Sequence, residues 1–137
     1  MERRVNLVAI GTVASPLKDR ADAPKQGDEG APEAWLVFAP EVAEGLEGIA
    51  AGDVLLVLTW LDRAERDVLR VRPRGDATRG EQGVFNTRSP DRPNPIGLHR
   101  VTVLAIDGAR VQVTDLEALD GTPIVDVKPL LRSIDER

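Results

Sequence analysis

The chain has 137 residues, 42% hydrophobic and 30% charged, with a formal net charge of −5; this profile fits one soluble globular domain with a core of its own and excludes a disordered chain. There is no cysteine and one histidine, His99, so disulfides, thiol catalysis and zinc–thiolate or multi-histidine sites are excluded, and no metal is expected. Two tryptophans, two phenylalanines and no tyrosine leave too few rings for a platform that stacks single-stranded RNA.

In chain order, residues 4–13 are rich in β-branched side chains and predict a first strand, ended by Ser15-Pro16. Nothing at the N-terminus resembles a signal core, so a cytoplasmic location is expected. Residues 16–32 hold three prolines and two glycines and read as a long loop. A short strand over 34–38 follows, and then a helix over 40–46 that opens on a proline. Residues 53–61 form a continuous apolar strand, expected to be buried on both faces and too short to span a bilayer, so no membrane contact is expected. Residues 67–71 alternate weakly and are expected to pair beside it. Residues 73–97 are rich in Gly, Pro and Arg, with little regular structure. A strand over 98–106, a type I′ turn at Asp107-Gly108 and a return strand over 109–115 form a hairpin. An extended piece over 123–127 and a helical turn over 129–132 close the chain. The sum is mainly β without a βαβ rhythm. It predicts a compact single-domain β-barrel over residues 1–137, with one or two short helices.

Charge is unevenly spread. Residues 62–100 carry nine arginines against six acids, a net +3, and the remainder carries −8. Arginine suits bidentate phosphate or carboxylate contacts, although the same pattern fits a solvated face.

Two segments resist a purely structural reading. Residues 83–97 read GVFNTRSPDRPNPIG. Pro90, Pro93 and Pro95 fix their own φ and bias Ser89, Arg92 and Asn94 to extended backbone. The result is a stiff loop that positions Arg88 and Arg92, either for binding or as a connector with solvated arginines. Residues 120–129 read DGTPIVDVKP, a tight turn into a strand, in which Asp126 and Lys128 face one side and form an ion pair. His99 is expected to be a structural or exposed histidine, and Trp60 a core residue.

Together the two segments, with IGTVASP at 10–16 and PKQG at 24–27, resemble the TsaA-like family of S-adenosylmethionine-dependent tRNA methyltransferases. The resemblance covers residues 10–131 and implies a mostly-β barrel outside the Rossmann type, a homodimer, and S-adenosylmethionine held near the subunit interface. It implies methylation of the exocyclic amine of threonylcarbamoyladenosine, beside the anticodon of tRNA. By position it implies cofactor contacts from Pro24, Lys25, Gln26, Arg88 and Leu98, and from Leu116, Glu117, Ala118 and Leu119. Where many members carry a His-Gln pair in that pocket, Trp60-Leu61 stands here.

Methyl transfer is an in-line displacement, so alignment is the protein's main contribution. A cation such as Arg88 or Lys25 suits the carboxylate of S-adenosylmethionine. Asp120 or Asp126 is the expected catalytic proton acceptor. Arg92, Asn94 and Lys128 are the expected substrate contacts, a cation pairing with the threonyl carboxylate. Two alternatives stay open: methylation of another RNA or a small metabolite, and a non-catalytic dimer that binds S-adenosylmethionine.

Overall fold

A computed structural model describes residues 2–21, 23–24, 30–72 and 80–131. The strands are β1 (Gly11–Ala14), β2 (Ala34–Phe38), β3 (Val54–Trp60), β4 (Arg70–Val71), β5 (Gln82–Gly83), β6 (Ile96–Asp107), β7 (Arg110–Thr114) and β8 (Pro123–Pro129). Six of them close into an antiparallel barrel in the order β1-β2-β7-β6-β3-β8, and β4 and β5 form a separate two-stranded sheet among the described residues. Closure removes most of the exposed strand edge that an open sheet of this size would carry. Pro40–Leu46 and Val84–Asn86 are 3-10 turns. No helix among the described residues is long and apolar enough to cross a membrane.

The core is built by alternation. Val13, Leu36, Leu55, Val57, Val101, Val103, Val111, Val113 and Ile124 point inward from six strands, and Leu116 and Ala118 join them from the segment after β7. At about 1.5–3 kcal/mol per fully buried aliphatic side chain, this cluster is the main source of stability.

Several expectations are corrected. The first strand covers Gly11–Ala14 rather than 4–13: the paired register with β8 and β2 begins at Gly11, and upstream of it Ile10 bonds the Ile124 carbonyl and the Ala39 N–H. Val5, Leu7 and Val8 stay exposed; β propensity without a neighbouring edge makes no strand. β3 is not buried on both faces: Leu55, Val57 and Thr59 point in, while Leu56, Leu58 and Trp60 are half-buried outside. The strand over 67–71 shrinks to two residues and pairs with Gln82–Gly83, not with β3. The hairpin turn is Gly108-Ala109, closed by the Asp107–Arg110 pair. Only Gly108 has positive φ, at 61°, as a glycine-first type II′ turn requires. Pro129 ends β8, and Leu130 and Leu131 are not helical; Arg132 lies outside the described residues.

β8 carries a bulge. Leu58 opposes Asp126, but the next pair is Thr59 with Ile124, so Val125 is an extra residue. Ile124 and Val127 pack inward, and Asp126 and Lys128 turn outward.

Candidate functional site

The proline-spaced loop and the Asp-Gly turn meet at one end of the barrel. They are tied through the segment after β1: Lys18 donates to Asp120 at 2.8 Å and Arg20 to Asp91 at 3.3 Å. Arg63 donates to the Lys18 carbonyl at 2.7 Å. Both segments also line one cavity of ≈890 Å³. Asn94 and Ile96 come from the first segment, Pro123 and Val125 from the second, with Trp60, Arg66 and the N-terminal residues completing it. Trp60 is thus not a core residue. Arg66 lies over its ring at 5.1 Å and also bonds the Pro93 carbonyl and the Asn94 side chain, at 2.7 and 3.1 Å. A cation over an indole face is attracted by the ring quadrupole.

Next to this end the barrel ladder is broken. β6 pairs with β7 only from Thr102–Thr114 onward. Asp115 then takes a left-handed φ of 64°, which peels the chain away from β6; aspartate is among the few residues that visit that region readily. Continued in register, Arg100 would have opposed Leu116, and Leu98 would have opposed Ala118. Instead residues 116–119 form an irregular segment whose backbone N–H groups find no acceptor among the described residues. The alternation of the β3–β6 ladder directs the Leu98 and Arg100 peptide groups to the same gap. Unmatched donors and acceptors of this kind call for water or a ligand.

One side-chain bridge spans the break. His99, 4% exposed, hydrogen-bonds Glu117 Oε1 through Nδ1 at 2.5 Å and Thr59 Oγ1 through Nε2 at 2.7 Å. The ring nitrogen facing an ionised carboxylate must carry the proton, so Nδ1–H donates to Glu117. His99 is therefore a structural histidine, as expected.

The expected site residues are distributed as follows. Leu98 and residues 116–119 flank the single break just described. Leu116 and Ala118 bury their side chains in the core, and Glu117 is engaged with His99, so these three offer a ligand backbone groups rather than free side chains. Pro24 is half-buried, and Lys25 and Gln26 lie outside the described residues. Arg88 is exposed and makes no side-chain hydrogen bond or ion pair among the described residues. Asn94 lines the cavity. Arg92 does other work: its guanidinium donates to the Val84, Thr87 and Ser89 carbonyls at 3.1, 3.1 and 2.9 Å, stapling the loop that carries Arg88.

Of the two aspartates, Asp120 accepts from the Ser15 N–H at 2.9 Å and from Lys18, and these bonds hold its carboxyl below the ordinary range. Asp126 is held low mainly by Lys128, 2.8 Å away, in the ion pair read from the sequence. A carboxylate so stabilised is a weak base. They differ in place: Asp126 stands on the outer face across Leu58 from Leu98, whereas Asp120 ties two loops. Sequence spacing gave no sign of the Thr59–His99–Glu117 bridge or of Arg66 on Trp60; a polar pair inside an otherwise apolar strand face was the one available cue.

The family described as "tRNA-methyltransferase O N-terminal domain" matches residues 12–136. The chain is 42% identical over 134 residues to a "Probable S-adenosyl-L-methionine-binding protein" of Methanothermobacter thermautotrophicus, covering 98% of this chain and 96% of that protein. It is 45% identical over 129 residues to an "S-adenosyl-L-methionine-binding protein" of Archaeoglobus fulgidus, covering 94% and 91%. The crystal structure of TrmO from Pseudomonas aeruginosa superposes with a TM-score of 0.76 at 25% identity, over 98% of this chain and 61% of that one. The chain thus spans about three fifths of that solved protein.

Proposed function

We propose, from the premise that this chain belongs to the TsaA-like, tRNA-methyltransferase O N-terminal domain family, that it is an S-adenosylmethionine-dependent methyltransferase. Its acceptor is the exocyclic amine of threonylcarbamoyladenosine in tRNA. The observation that carries the reading is the broken β6–β7 ladder. Leu98 and residues 116–119, which sequence resemblance alone assigns to the cofactor, stand on its two sides, and the N–H groups of 116–119 have no acceptor among the described residues. These residues fit S-adenosylmethionine: peptide groups suit the edge of an adenine, the Leu98 side chain its face, and the exposed Arg88 guanidinium, without a partner among the described residues, a carboxylate.

Bound there, S-adenosylmethionine supplies an electrophilic methyl group. The chain's own contribution is alignment. Arg92 holds the proline loop in one shape and so fixes where Arg88 stands. Asp126 stands nearer the break than Asp120 does; a substrate carboxylate that draws Lys128 away would remove what keeps Asp126 a weak base and leave it to accept the proton of the amine. Asn94 and Arg66 present polar groups in the cavity wall. Exposed Arg63, Arg66, Arg70, Arg72, Arg88 and Arg100 form the footprint for phosphates. A second copy of the chain covers the apolar outer face of β6, where Ile96, Leu98, Leu104 and Ile106 are exposed. We read the chain as one domain acting in the cytoplasm.

The test is transfer of a labelled methyl group from S-adenosylmethionine to tRNA that lacks only this methyl. Transfer is expected, falling steeply with salt because phosphate contacts release counterions. Methylation of a small metabolite, insensitive to salt, would replace tRNA as the acceptor. Cofactor binding without transfer to either would leave a sensor. Arg88→Ala should weaken cofactor binding by calorimetry; unchanged affinity removes Arg88 from the site.

A further inference from the structure

The gap between β6 and residues 116–119 needs something to set its width, and backbone pairing does not. Leu116 and Ala118 anchor the segment to the core through side chains that are 0% and 4% exposed. Between them, the Glu117 carboxylate reaches across to His99 on β6. His99 is in turn fixed by Thr59 on β3, so three separate stretches of chain meet in one hydrogen-bonded row. The row is enclosed: Thr59 is 0% exposed, and a Cβ at Gly97 would lie 2.5 Å from Thr59 Oγ1 and 2.7 Å from His99 Nε2. The last glycine of the NPIG motif thereby makes room for it. Both nitrogens of the ring are engaged, so the imidazole cannot turn without losing a bond.

We propose that Thr59, His99 and Glu117 are positioning residues that hold residues 116–119 at a fixed distance from Leu98, so that both edges of the gap meet the cofactor together. They act through the backbone they hold. The inference rests on the functional reading above and adds to it what presets the site. A preset site binds more tightly because less ordering is left to the binding step.

The full chain and its Glu117→Gln and Glu117→Ala variants are titrated with S-adenosylmethionine by calorimetry, with fold content checked by circular dichroism. The ring nitrogens of His99 are followed by 15N NMR, unambiguous because the chain has one histidine. The ring signals should move when S-adenosylmethionine is added. Glu117→Ala should bind about tenfold more weakly, the scale of one lost hydrogen bond to a charged group. Glu117→Gln should recover most of that loss, since its amide oxygen still accepts from Nδ1–H. Wild-type affinity in Glu117→Ala overturns the proposal, as do ring signals unmoved at saturation. A Glu117→Gln variant as weak as Glu117→Ala also overturns it, by making the carboxylate a direct ligand of the cofactor. Should Glu117→Ala not fold, Thr59→Val removes only the Nε2 partner. It should weaken binding severalfold, and unchanged affinity there again overturns the proposal. A wild-type chain that does not bind S-adenosylmethionine sinks the functional reading itself, and this inference with it.

Discussion

Replacing Arg92 separates two roles that its place in the proline loop leaves open. Its guanidinium forks over the carbonyls of Val84, Thr87 and Ser89 at 2.9–3.1 Å. A hydrogen bond to a charged group contributes about 1.5–3 kcal/mol when shielded. Here the three share one half-buried guanidinium, and the freed loop regains entropy, so Arg92→Ala should cost roughly 2–4 kcal/mol. At this chain length that is a fall in Tm of roughly 6–16 °C. Arg92→Lys keeps the charge but has no planar fork, and should lose about half as much. Urea unfolding gives the energies, and amide hydrogen exchange over 84–92 shows whether the loop opens alone or with the whole barrel. The reasoning is refuted if Arg92→Ala unfolds within about 0.5 kcal/mol of the wild type, keeps its amide protection, and loses affinity for tRNA. Arg92 would then belong to the acceptor and not to the loop.

Gly97→Ala should destabilise the barrel by about 1–3 kcal/mol through overpacking, because Thr59 and His99 both lie inside the space the new methyl needs; thermal melting checks this, and an unchanged Tm would mean the row yields freely. Asp120 is held below its ordinary 3.8 by Lys18 and the Ser15 N–H. Its contribution is present in full above the unfolded-state value and is lost as pH falls through the lower folded value. Asp120→Asn should therefore flatten the acid side of the stability curve; parallel wild-type and variant curves in urea across that limb would contradict the pairing. Arg66→Ala removes the cation from the Trp60 face and the bonds to Pro93 and Asn94. It should shift the tryptophan emission and cost about 0.5–1 kcal/mol, with an unaltered spectrum counting against the contact.

The strands were legible where apolar alternation and turn chemistry agreed, as in β2, β3 and the β6–β7 hairpin. The N-terminal residues show the limit: Val5, Leu7 and Val8 have strand composition, yet nothing in a local pattern says whether a neighbour's edge will reach them. Trp60 was misplaced for a related reason. An apolar run broken only by Thr59 does not reveal which of its two faces is enclosed, and here alternation turns Trp60 outward under Arg66. The site was legible as motifs and not as roles. The spacing of Pro90, Pro93 and Pro95 announced a stiff loop, but a guanidinium beside such a loop can serve a ligand or the loop's own carbonyls, and Arg92 serves the carbonyls. His99 and Glu117 are eighteen positions apart, and only the fold of β6 against the post-β7 segment makes them neighbours.

The extra residue in β8 gives that strand a reserve of length. Swapping Val125 for another apolar side chain leaves parity intact, because both flanking residues keep their direction. Deleting it sets Asp126 directly after Ile124, which is plain two-residue alternation: Ile124 and Val127 still point in, Asp126 and Lys128 still point out. A single-codon deletion there would remove the local bend and keep the order of inside and outside, whereas the same deletion in an unbulged strand of this barrel would turn every residue beyond it to the wrong face.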